Sequence, residues 1–194
     1  RSLNVYIQQL FALIECSDAS SQQGGLVGLM HVIEKASITD LAAHVDKLAL
    51  KMLSVLSNRS QRFECFKEMW DACAMLAKSV GRSGQLSNYL TKFLSFLING
   101  LESDDFKERL ACVMCVDAFA EHIPATHLEV CLDQLMSIIN QCRHDRTPPV
   151  RKAVKQAIEK LTRVQQALNV LKQSEPTSSS VSQQLLFDSP PQKK

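Results

Sequence analysis

Apolar residues recur along this chain every three to four positions, in stretches separated by short segments that carry glycine, proline or polar residues. Leu41, Val45, Leu48, Met52 and Val55 form one such stripe; Phe63, Phe66, Trp70, Cys73, Ala77 and Val80 form the next. That period belongs to an α-helix with one buried face. The alternating β-branched runs of strands are absent. The pattern predicts eight helices: Leu3–Glu15, Gln22–Lys35, Thr39–Leu56, Gln61–Val80, Gly84–Gly100, Asp105–His122, Ala125–Cys142 and Pro148 to near Lys172. Thr39 before Asp40, and Ser103 before Asp104-Asp105, supply cap and acid where a positive helix end favours them. Pro148-Pro149 suits a first turn, and Gly81 and Gly100 suit helix ends.

Every second predicted helix begins near 22, 61, 105 and 147, so the starts are separated by 39, 44 and 42 residues. A period of about 40–47 residues is that of helix-pair repeats. Short connections within each pair make its two helices antiparallel neighbours, and stacking buries the face that a lone pair would leave wet. After Lys172 the composition changes: residues 173–194 are rich in Ser, Gln and Pro around the island Leu185-Leu186-Phe187. The expected organisation is a helical domain over 1–172 and a disordered tail over 173–194.

The last pair carries a family likeness. Asp145-Arg146-Thr147-Pro148-Pro149-Val150-Arg151, followed by Ala153, Val154, Ala157, Ile158 and Leu161, resembles the HEAT repeat signature: Asp and Pro in the turn, then Val-Arg, then small and aliphatic residues at helical spacing. Asp104, Asp105, Phe106 and Arg109 resemble a degenerate copy one repeat earlier, and Gly24-Gly25-Leu26-Val27-Gly28-Leu29 resembles the small-residue opening of a second helix in some HEAT proteins. The resemblance implies an all-α fold, a right-handed α-solenoid of about four antiparallel helix pairs of HEAT or armadillo type. It implies a ladder between neighbouring repeats carried by Asp145 and Arg151. It further implies a non-catalytic protein-binding scaffold. Tubulin-binding TOG arrays, a HEAT subfamily, use the edge made by the loops within each pair. That edge here carries Arg59, Arg62, Phe106, Lys107, Arg146 and Arg151. A TOG-like regulator of tubulin or microtubules is therefore the alternative function.

Chemistry for catalysis is missing from the pattern. The five histidines are scattered, and there is no zinc-protease helix motif, nucleophile elbow or phosphate loop. Gly24-Gly25 and Gly28 follow a Ser/Gln loop rather than a strand, which excludes a dinucleotide fingerprint. The expectation is no enzyme and no cofactor. Cys112-Val113-Met114-Cys115 lies in an apolar stripe: it packs in the core, or with His122 and Cys131 it holds a metal, and no second Cys pair stands at zinc spacing. Trp70 is either core or a binding hot spot. The seven cysteines, odd in number and set in helical stripes, read as free thiols of a reducing compartment. The first residues lack a secretory pattern, and no apolar run reaches a membrane span. The expected location is the cytoplasm, with cytoskeleton or nucleus as alternatives.

Net charge is only +2, but it is unevenly placed. From Gly100 to Asp133 eight acids face two bases, and from Arg143 to Lys172 eight bases face two acids. The contrast reads partly as pairing between repeats and partly as a basic edge for an acidic partner. Nucleic acid is disfavoured, because no aromatic residues interleave with the bases. In the last helix Val150, Val154, Ala157, Leu161, Val164, Leu168 and Leu171 keep a heptad seam. That seam either packs on the preceding helix or supports self-association. In the tail, Ser189-Pro190 and Ser182-Gln183 resemble phosphorylation sites, and Leu185–Phe187 is either a docking motif or an apolar cluster that folds back on the helices.

Overall fold

The computed structural model describes residues 3–58 and 63–174. The described residues form α1 (Leu3–Ile14), α2 (Ala19–Lys35), α3 (Ile38–Ala42), α4 (Val45–Ser57), α5 (Phe66–Val80), α6 (Leu90–Leu101), α7 (Phe106–His122), α8 (Ala125–Gln141) and α9 (Pro148–Ser174). Three 3-10 segments, Gly81–Ser83, Gln85–Tyr89 and Cys142–His144, complete them, and no strand occurs among the described residues. None of the described helices is long and apolar enough to cross a membrane.

The helices pack in chain order. α2 lies on α5, α5 on α7 and α7 on α9, while α4 lies on α6 and α6 on α8. Across these, α1 packs on α2, α4 on α5, α6 on α7 and α8 on α9. Lys51 Nζ meets Glu15 Oε1 at 2.9 Å and Lys47 donates to Asn4, which places α4 beside α1. One core runs through the assembly. Phe11, Leu29, Met52, Trp70, Phe93, Phe119, Ile139 and Leu161 are each at most 1% exposed. Burying side chains of this size stabilises by about 1.5–3 kcal/mol each.

Four predicted elements differ from the structure, each for a local reason. The expected helix Thr39–Leu56 is two helices, broken at Ala43-His44. His44 Nδ1–H donates to the carbonyl of Asp40 at 2.8 Å, the acceptor that the His44 backbone N–H would use in a continuous helix. That N–H goes to Leu41 instead. Ser37 rather than Thr39 caps α3, its hydroxyl accepting from the Asp40 N–H at 3.1 Å. The helix expected from Gln61 begins at Phe66, because Gln22 Oε1 takes the Glu64 N–H at 3.1 Å and keeps residues 63–65 out of a helix. The helix expected from Gly84 starts at Leu90: Gly84 has φ 77°, open to glycine but strained for other residues. Asp105, not Ser103, caps α7 by accepting from the Lys107 N–H at 2.9 Å.

Gly100 lies at the end of α6, as expected, and also does more. It sits in the last turn of α6, and a Cβ there would lie 2.4 Å from Cys112 Sγ and 3.0 Å from Trp70 Nε1. The glycine lets α6 close on the two helices that carry Trp70 and Cys112. Gly24 in α2 has nothing within 4 Å of such a Cβ.

These two glycines predict opposite signs for the same substitution. Gly24→Ala gains about 0.5–1 kcal/mol from reduced backbone freedom. Gly100→Ala loses about 1–3 kcal/mol, because overpacking exceeds that gain. Urea unfolding followed by circular dichroism measures both. A Gly100→Ala protein as stable as Gly24→Ala would show that the contact among α5, α6 and α7 is not tight.

Candidate partner-binding edge

The fourth residue of α2, α5, α7 and α9 is Gln22, Met69, Arg109 and Arg151. Three of these side chains do the same thing. Gln22 Nε2 donates to the carbonyl of Cys16 at 2.8 Å, Arg109 Nη1 to that of Ser103 at 2.7 Å, and Arg151 Nη1 to that of Asp145 at 2.7 Å. Each acceptor lies six residues back, in the loop that enters the helix. The loop within a pair runs at the surface with carbonyls that no helix satisfies, and this side chain satisfies one of them.

Two of the three also reach the next pair. Gln22 accepts the Glu64 N–H, so the loop after α1 is tied to the loop before α5. Arg109 presents its other edge to Asp145, Nε to Oδ2 at 2.7 Å and Nη2 to Oδ1 at 3.1 Å. Nη2 also reaches Thr147 Oγ1 at 3.3 Å, and Nη1 the Asp104 carbonyl at 3.0 Å. The two charged side chains are 6% and 9% exposed. The hydrogen bonds from Arg109 hold the Asp145 carboxyl below its ordinary range. The same Asp145 Oδ1 accepts the Thr147 N–H at 2.7 Å, which shapes the entry to α9. Met69 is the exception: fully buried and apolar, it ties nothing.

The ladder expected of Asp145 and Arg151 is thus differently wired. Arg151 bonds the backbone carbonyl of Asp145 in its own loop, and the guanidinium that forks onto the Asp145 carboxylate is Arg109. Neighbouring loops approach closely enough for this. Arg146 Nη2 donates to the Asp104 carbonyl at 2.9 Å and stands 3.7 Å from its carboxylate. Glu102, Ser103, Asp104, Arg109, Asp145 and Arg146 together line a shallow surface depression. Beside it Phe106, 40% exposed, and exposed Lys107 open α7. Arg59, Arg62, Ser182, Ser189 and Leu185–Phe187 lie outside the described residues.

Other candidates resolve into the core. Trp70 is fully buried, with its indole N–H unpaired. Cys112 and Cys115 are buried in α7, and burial pushes the Cys115 thiol well above its ordinary pKa. Among the described residues no cluster of His, Cys, Asp and Glu could hold a metal. The heptad seam of α9 is spent within the chain: Val150, Val154, Ala157, Leu161, Val164 and Leu168 are buried, and only Leu171 of the seam is exposed. That is the packed alternative, and it leaves little seam for self-association.

The opposing charge blocks are likewise partly used internally. Lys160 Nζ meets Asp117 Oδ2 at 2.7 Å and also pairs with Glu121, while Lys172 meets Glu129 at 2.6 Å. Arg143, Arg151, Lys152, Lys155 and Arg163 make no ion pair among the described residues. Sequence reasoning missed Gln22, which is 1% exposed. Its signal was the register it shares with Arg109 and Arg151.

No protein-family model matches the chain, and no curated protein matches it in sequence.

Removing Arg109 leaves the Asp145 carboxylate buried without its partner. Arg109→Ala is expected to lose about 3–5 kcal/mol, the cost of breaking one side of a buried pair. The Asp145 pKa is lowered on folding, so its stabilisation is present above the ordinary carboxylate pKa of about 3.9 and disappears as pH falls through the lowered value. Asp145→Asn should therefore be less stable at neutral pH and lose less on acidification. Chemical denaturation across pH compares them; parallel pH profiles would remove the pair from the acid response.

Proposed function

We propose that the chain is a non-catalytic protein-binding scaffold, a right-handed HEAT-like α-solenoid of four helix pairs. The helices α2, α5, α7 and α9 start at residues 19, 66, 106 and 148, spacings of 47, 40 and 42 that match the period of about 40–47 for such repeats. The observation that carries the reading is the tethered loop edge. Gln22 and Arg109 fix successive loops against one another, and the exposed side chains Phe106, Lys107 and Arg146 stand on that fixed base. Tethered loops bearing one exposed aromatic residue and exposed bases suit a partner with an acidic surface, since charge complementarity raises encounter rate and specificity. A cytoplasmic partner fits the seven free thiols.

The second reading is a tubulin binder. The observation favouring it is the pairing of an exposed Phe106 with Lys107 at the start of α7, on the edge that TOG-like proteins use. The buried position of Trp70 takes away the aromatic anchor that this reading would otherwise prefer.

Capture from cytosol with residues 1–194 and 1–172 as bait tests both. Lys107→Glu with Arg146→Glu should abolish capture of the dominant partner while the thermal unfolding temperature changes little, because both side chains are exposed. Tubulin as the dominant captured protein would select the second reading. Undiminished capture by the double variant would reject the loop edge as the binding surface.

A further inference from the structure

Along each of the four helices the tether residue begins a stripe at helical spacing. In α2 it is Gln22, Leu26, Leu29 and Ile33; in α5, Met69, Cys73, Leu76 and Val80; in α7, Arg109, Val113, Val116 and Ala120. All twelve are buried. α5, α7 and α9 in turn pack on these helices. In α9 the same register is Arg151, Lys155, Ile158 and Thr162, with the first two exposed and the last two half-buried. Nothing in the described chain packs beyond it. Arg143, Arg151, Val154, Lys155, Ile158 and Glu159 line a cleft on this face, whose walls carry three bases and one acid, Glu159.

Arg151 is held as Arg109 is held. Each Nη1 is anchored on the carbonyl six residues back. In Arg109 the opposite edge, Nε and Nη2, forks onto an aspartate from the next loop. In Arg151 that edge makes no hydrogen bond among the described residues. A guanidinium fixed through one edge by its own backbone needs little further ordering to accept a planar carboxylate on the other.

We infer that this face of α9 is a receptor for an acidic protein segment, a helix entered through an aspartate-bearing loop. Its carboxylate forks onto Arg151 as Asp145 does onto Arg109, its acids face Lys155 and Arg143, and an apolar residue covers the half-buried Ile158. The inference rests on the scaffold reading but places its site away from the Phe106–Lys107 edge. An acidic protein segment fits better than nucleic acid. The cleft has aliphatic residues and no aromatic ring for base stacking, and the fork reproduces a carboxylate seat already present in the fold.

The probe is a fluorescent synthetic helical peptide with an aspartate three residues before its first turn, leucines on one face and glutamates beside them. A permuted peptide of identical composition and a DNA duplex are the comparisons, read by anisotropy against residues 1–194. The peptide should bind at least about tenfold more tightly than the permuted one, and Arg151→Gln or Lys155→Glu should each weaken it by about tenfold or more. Lys155 is exposed and makes no side-chain hydrogen bond or ion pair among the described residues, so the Lys155→Glu arm does not depend on how Arg151→Gln folds. Absence of peptide binding, equal binding of the permuted peptide, or tighter binding of the duplex each overturns the inference. Lys107→Glu with Arg146→Glu separates the two sites. If that variant loses its cytosolic partner while the peptide does not bind wild-type protein, the scaffold reading survives and this one fails.

Discussion

A loop that connects two antiparallel helices exposes carbonyl groups that neither helix can satisfy, and the packing of one helix pair on the next depends on how those groups are held. In this chain the solution is a long polar side chain at the fourth position of the second helix. Because it starts one turn inside the helix, its length reaches back to the loop and across to the following pair. Gln22 and Arg109 thereby set the relative height of neighbouring pairs. The apolar stripe that follows each of them is in turn placed opposite its covering helix. Non-directional burial supplies most of the stabilisation, while these few directional bonds select one register.

The electrostatics follow from the same arrangement. An acidic stretch and a basic stretch adjacent in sequence end up on α7, α8 and α9, which face each other, and Lys160 and Lys172 consume acids there. Arg109 and Asp145 differ from these pairs in being almost fully desolvated, so their partnership specifies geometry more than it adds net stability. Bases on the outward side of α9 make no ion pair within the described chain, and they outnumber the one acid beside them, Glu159.

Helix content and most of the buried stripes were legible in the sequence, because each depends on residues a few positions apart. What escaped was fixed by groups far away in the chain or by side chain competing with backbone. The break at His44 comes from an imidazole taking a carbonyl that the backbone would have used. The late start of α5 comes from Gln22, 42 residues earlier. The motif around Asp145 marked the right loop but could not say which arginine would meet its carboxylate, since Arg109 and Arg151 occupy the same register in successive pairs. Gly100 was legible as a helix end, but its second role, admitting Trp70 and Cys112, depends on three helices at once.

Met69 breaks the tether series at the step from α5 to α7, where contact is apolar instead. The indole of Trp70, next along α5, lies in that same step, fully shielded from water and close to Gly100. As the sole tryptophan of the chain it gives the middle of the molecule its own optical signal. Its emission reports whether water has entered the joint between the two central helices, independently of fraying at either end.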